Sequence, residues 1–143
     1  VKPHVNHLRV RVYYEDTDCG NVVYYANYLK YMERGRTEFL RDMGFGLAEL
    51  HKQDTLFVVA EAHVRYHVSA RYDDLLDVAT SLTEHTSATV TFHYEIANQR
   101  GVLCASGDVK AACVDGNGKV KRIPRAILDG LARGQEKRNH EKT

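Results

Sequence analysis

Apolar positions change their period several times along the chain, and each change predicts an element. Leu8, Val10 and Val12 alternate with polar neighbours across His7 to Tyr14, the period of a half-buried strand. A turn is expected around Cys19–Gly20–Asn21. From about Ala26 to Met43 the period becomes helical: Tyr28, Leu29, Met32, Gly35, Phe39, Leu40 and Met43 share one stripe, and Lys30, Arg34, Glu38 and Arg41 lie opposite. Glycine inside a helix costs about 1 kcal/mol against alanine, so Gly35 within the apolar stripe predicts close approach to a sheet. Gly44 and Gly46 are expected to end the helix.

After the helix the period becomes two. Ala60, Ala62, Val64, Tyr66 and Val68 alternate with Glu61, His63, Arg65 and His67. Three more strands follow, on Leu76–Leu82, Val90–Ile96 and Leu103–Cys113, joined by the short connections "HTSA" and "NQRG". "DGNG" is a strong turn signal, and Pro124 opens a short helix through Leu131. The order strand, helix, then four or more antiparallel strands predicts an α+β fold, a curled antiparallel sheet wrapped around one long central helix. Residues 1–134 form one domain on this reading, and the polar residues 135–143 form a tail. One helix cannot cover so much sheet, so a second subunit is expected on an edge or face, giving a homodimer or homotetramer.

Composition narrows the classes of function. The 143 residues carry 20 lysines and arginines against 19 acids, so no chain-wide basic field attracts nucleic acid. No apolar run approaches the ~20 residues that cross a bilayer. The opening "VKPHVNHLRV" lacks the basic head and apolar stretch of a secretory signal. Cys19, Cys104 and Cys113 stand at unrelated spacings, as expected of free thiols in a reducing cytoplasm. His63 and His67 are four apart, but on a strand that separation is about 13 Å, too far for one ion. No metal is predicted.

The stretch with chemistry in it is "DTDCGNVVYYANY", Asp16 to Tyr28. Two carboxylates stand one residue apart before a Gly–Asn turn and a helix start. The unpaired first amides of a helix favour negative charge, and a carboxylate can activate water or attack a carbonyl directly. Asp16 reads as a turn residue bonding its own backbone, Thr17 and Asn21 as loop hydrogen-bonders, and Gly20 as the residue that lets the loop turn tightly. Asp18 has the same structural reading open to it. Arg36 and Glu33, one turn apart on the helix, read as a partly buried ion pair, with a binding or catalytic role for the Glu33 carboxylate as the alternative.

"YYEDTDCGNVVYYANYLKYMERGRTEFL", with "ARYDDLLDV" at residues 70–78, resembles the signature of hotdog-fold acyl-CoA thioesterases of the 4-hydroxybenzoyl-CoA thioesterase-like superfamily. It is most similar to the branch associated with the Tol–Pal system, and the likeness runs from Leu8 to about Leu131. The resemblance implies that Asp18 is the catalytic carboxylate and that the backbone N–H of Tyr25 polarises the thioester carbonyl. Many members of that branch carry histidine where this chain has Tyr25; tyrosine occurs there in the 4-hydroxybenzoyl-CoA type. It further implies an acyl-CoA substrate with a short, medium or aromatic acyl group, no cofactor, and basic groups for the CoA phosphates. "KVKR" offers Lys119, Lys121 and Arg122 for these, with a solvated edge strand as the equal alternative, and Gly20 is a further substrate-contact candidate. A hotdog dehydratase acting on hydroxyacyl thioesters is a second enzymatic reading; that chemistry wants an acid and a histidine facing each other across a dimer, and the Asp18–Tyr28 stretch holds no histidine. A non-catalytic module binding acyl-CoA or an acyl carrier protein is the competing non-enzymatic reading.

Overall fold

The structure, a computed structural model, describes residues 3–135. Five strands form one antiparallel sheet: β1 (Val5–Arg11), β2 (Leu56–Tyr66), β3 (Leu75–His85), β4 (Thr89–Ala97) and β5 (Leu103–Val114), in the order β1-β3-β4-β5-β2. The helix α1 (Asn27–Asp42) packs on the sheet through Tyr28, Tyr31, Met32, Gly35, Phe39 and Leu40. Two shorter helices, α2 (Leu47–Lys52) and α3 (Arg125–Gly134), complete the fold. Alternation along β3, β4 and β5 turns Leu76, Val78, Leu82, Val90, Phe92, Ile96, Val109 and Ala111 into the core.

Close approach of helix and sheet occurs where the stripe carries Gly35. A β-carbon there would lie 2.3 Å from Thr80 Oγ1 and 3.2 Å from Val78 Cγ1, so no larger residue fits without movement. The C-terminus of α1 is a Schellman motif: Gly44 (φ 90°) donates to the Arg41 carbonyl at 3.0 Å and Phe45 to that of Leu40 at 2.8 Å.

Several expectations need correction. The first strand ends at Arg11, because Tyr14–Asp16 wind into a 3-10 turn. The second begins at Leu56, and a bulge between Val59 and Glu61 shifts its phase, so one unbroken alternation from Ala60 does not describe it. Leu29 is 41% exposed, whereas Tyr31, outside the expected stripe, is buried. Glu33 and Arg36 make no ion pair among the described residues; Arg36 instead lies within electrostatic reach of the Tyr94 phenol, which burial pushes up to about 12 against the opposing arginine charge. Of the expected tail, Gln135 donates to the Thr83 carbonyl at 3.2 Å, and residues 136–143 lie outside the described residues.

The strand β2 is an edge with solvent on both faces: Val58, Val59 and Tyr66 are each nearly half exposed. A long apolar edge of this kind is a template for pairing with another chain.

Candidate active site

The Asp16–Tyr28 stretch folds as a turn, a small hairpin and a helix head. Asp16 holds the turn, its carboxylate accepting the Tyr13 amide at 2.9 Å and its carbonyl accepting both the Tyr24 amide (2.9 Å) and Asn27 Nδ2 (2.8 Å). Thr17 Oγ1 donates to the Tyr14 carbonyl at 2.7 Å. Both residues serve the loop itself. Thr17 then bridges Val23, the Asp18 amide donates to the Val22 carbonyl at 2.9 Å, and the Asn21 amide returns to the Asp18 carbonyl at 3.1 Å.

Asp18 thus opens the tip of the hairpin, exposed to solvent in the single chain. Its Oδ1 accepts the Gly20 amide at 2.8 Å, which fixes the carboxylate over the turn. The left-handed residue of this turn is Asn21 (φ 63°), a residue type that tolerates it. Gly20 matters for space, since a β-carbon there would come within 3.3 Å of Asp18 Oδ1.

Three residues past Val22 the head of α1 stands bare. The N-cap is Ala26, with no side-chain cap. The carbonyls of Tyr24, Tyr25 and Ala26 accept the amides of Asn27, Tyr28 and Leu29 at 2.8, 3.3 and 3.2 Å. The amides of Tyr25 and Ala26 have no acceptor among the described residues. The Asp18 carboxylate lies within electrostatic reach of the Tyr24 phenol, which is raised by its hydrogen bond to Tyr25, by the charge of Tyr25, by burial and by the charge of Asp18. A loop carboxylate and uncapped helix amides therefore share one short segment of chain.

Tyrosines surround the helix head. The Tyr24 and Tyr25 rings are 4.9 Å apart, Tyr25 meets Tyr66 edge-on at 6.1 Å, and Tyr66 packs on Tyr28 at 5.5 Å. Tyr66 was legible only as one more apolar residue of a strand; its meeting with the helix head depends on how the sheet curls.

Lys119, Lys121 and Arg122 lie at the other end of the molecule. They follow β5 beyond Val114, which pairs with Leu56, whereas Tyr66 ends β2 beside Tyr25. Eleven residues of strand separate these ends, about 33 Å. Lys121 is moreover committed, its Nζ donating to the carbonyls of Gln53 (2.9 Å) and Asp54 (2.8 Å) at the end of α2. Lys121→Ala is expected to lower stability by about 1 kcal/mol, read as a drop in melting temperature, while the KM for any CoA thioester stays within twofold. Arg9, Arg11 and Arg34 line a cavity of about 350 Å³ with Glu15 and Asp16, on the turn that precedes Asp18. Sequence reading passed over them because they occupy ordinary solvent-facing positions of a strand and a helix. A second, largely apolar cavity of about 230 Å³ lies between α1, α2 and the start of β2, with Leu40, Leu47, Leu50 and Phe57 among its walls and Glu33 beside them.

Residues 12–131 match the family profile of the thioesterase-like superfamily. The chain belongs to this superfamily. Membership makes it a thioester hydrolase with the α+β hotdog fold. It is 44% identical over 115 residues to the acyl-CoA thioesterase YbgC of Haemophilus influenzae, covering 80% of this chain and 83% of that one. Against the acyl-CoA thioester hydrolase YbgC of Escherichia coli the identity is 41% over 118 residues, covering 82% and 86%. A probable thioesterase from Bartonella henselae superposes with a TM-score of 0.79 at 32% identity, covering 85% of this chain and all of that one (100%). No helix among the described residues of this superfamily member is long and apolar enough to cross a membrane.

Proposed function

We propose that this thioesterase hydrolyses acyl-CoA, with Asp18 as general base toward water or as nucleophile and the Tyr25 amide as donor to the developing oxyanion. The observation that carries this reading is the uncapped head of α1, with free amides at Tyr25 and Ala26 in the same segment as an exposed carboxylate held by Gly20. A tetrahedral intermediate puts negative charge on the thioester oxygen, and one fixed amide there is worth about 3–4 kcal/mol. Water adds the oxygen of hydrolysis, to the product acid with Asp18 as base or by opening an Asp18 anhydride with Asp18 as nucleophile; CoA leaves as the thiol, and the reaction requires no cofactor. The names of the YbgC relatives support acyl-CoA as substrate.

The acyl group, on this reading, is short, medium or aromatic and lies in a cleft completed by a second copy of the chain. Support comes from the exposed edge of β2. Antiparallel pairing of β2 with its two-fold mate would carry the partner's α2–β2 junction, with its apolar cavity, past the Tyr66 end of this chain. The same pairing would bring Lys119 and Arg122 of one copy toward the Asp18 loop of the other, and would wall in an Asp18 that is exposed in the single chain. Light scattering should then give at least twice the mass of the chain, and Val58→Lys with Val59→Lys should give the mass of one chain. A monomeric wild type would leave the cleft open and remove this part of the proposal.

Hydrolysis over a panel of alkanoyl- and aroyl-CoA thioesters, with thiol release as the readout, tests the activity. Turnover of some member is expected. Tight binding of CoA thioesters with no turnover of any would point to a non-catalytic carrier-binding module.

A further inference from the structure

Tyr66 is the last residue of β2, and it is where that edge strand, paired with β5 on its inner side, touches the head of α1. Its hydroxyl donates to the Tyr25 carbonyl at 3.3 Å, and its ring stands against both Tyr25 (6.1 Å, edge-on) and Tyr28 (5.5 Å). The Tyr25 carbonyl therefore has two donors, because the Tyr28 amide also reaches it at 3.3 Å. A trans peptide is planar, with its N–H antiparallel to its C=O. Whatever holds the Tyr25 oxygen also aims the Ala26 N–H, which points the opposite way and has no acceptor among the described residues. Two donors on one carbonyl also polarise the peptide, and hydrogen bonds in such a chain strengthen one another by about 10–30%.

We infer that Tyr66 is a positioning residue for the oxyanion site and that the Ala26 amide is a second donor beside Tyr25. This rests on the proposed acyl-CoA hydrolysis at Asp18. Tyr66 touches no reacting atom. It acts from β2 through one carbonyl, coupling the head of the helix to the strand most exposed to a partner. Burial, and next the charge of Tyr25, raise the Tyr66 phenol, so the group stays protonated and able to donate at any pH where the enzyme would work.

Tyr66→Phe removes the hydroxyl and keeps the ring. It should lower kcat about tenfold, less than loss of a whole oxyanion donor, with KM within twofold and an unchanged melting temperature. In the ligand-free protein the Ala26 amide proton should move upfield in a ¹H–¹⁵N spectrum, because its peptide loses polarisation. Tyr66→Leu, which also removes the ring, should show the same loss of kcat and a lower melting temperature. A Tyr66→Phe enzyme with wild-type kcat, or an Ala26 resonance that does not move, would reduce Tyr66 to a packing residue and overturn the inference. Failure of the wild type to hydrolyse any thioester would instead overturn the proposed activity, and the Ala26 resonance would still decide whether Tyr66 controls that peptide.

Discussion

Asp18→Asn should lower kcat/KM for the best acyl-CoA substrate by about 10²–10⁴, the usual range for removing a positioned acid or base, and leave the fold intact. The substitution is chosen for what it keeps. Asparagine still offers an Oδ1 acceptor to the Gly20 amide, so the hairpin tip retains the bond seen at 2.8 Å. The residue is exposed, no core contact is removed, and the melting temperature should hold within a degree or so. Loss of turnover with an unchanged melt therefore reports chemistry. Asp16 is the control: its carboxylate closes the turn on the Tyr13 amide, so Asp16→Asn should cost far less activity, and Asp16→Ala should lower stability first. An Asp18→Asn enzyme keeping a third or more of the wild-type rate would remove the carboxylate from the mechanism. A single turnover in ¹⁸O water separates the two roles left open for Asp18. A base delivers labelled oxygen to the product acid at once, whereas a nucleophile whose anhydride is opened by water at the Asp18 carbon gives its own unlabelled oxygen to the first product and takes up the label itself; label in Asp18 therefore identifies the nucleophile.

How far the sequence could go depended on whether a feature is local. The periods of β3, β4 and β5, most of the helix stripe, the Gly44 stop and the loop roles of Asp16 and Thr17 follow from neighbours a few residues away, and the structure agrees with them. The six residues of α2 are too few to show a helical period, and they went unread. The bulge in β2 was invisible because apolar and small residues run unbroken from Leu56 to Ala60, so either phase fits. Arg36 and Glu33 have the spacing of a pair, but spacing does not say that Arg36 faces Tyr94. For the candidate site the divide is similar. One short motif names Asp18, Gly20 and Tyr25, whereas the distance of the "KVKR" cations from it and the reach of Tyr66 into it are properties of a curled sheet.

Gly35→Ala joins these levels, because a residue chosen for local reasons sets how closely α1 sits on the sheet. On helix propensity alone the change should stabilise by about 1 kcal/mol. Packing opposes it. The added methyl would stand 2.3 Å from Thr80 Oγ1 and 3.2 Å from Val78 Cγ1, on strand β3 in the fully buried core. Overfilling of a close-packed core costs about 1–3 kcal/mol or more, and relief here requires Thr80 to leave its rotamer or the backbone to move. A net loss of about 2 kcal/mol is expected, which at this chain length corresponds to roughly 4–8 °C in melting temperature. Thr80→Ala in the same chain removes the atom in the way, along with a buried hydroxyl that has no hydrogen-bond partner. The double variant should therefore melt above Gly35→Ala alone, with a coupling of about 1–2 kcal/mol. Activity should follow the same order: a helix lifted from the sheet carries the Tyr25 and Ala26 amides away from the loop that holds Asp18. A Gly35→Ala protein melting at or above the wild type would mean that the helix does not approach the sheet this closely, and the placement of its head against the acid would have to be redrawn.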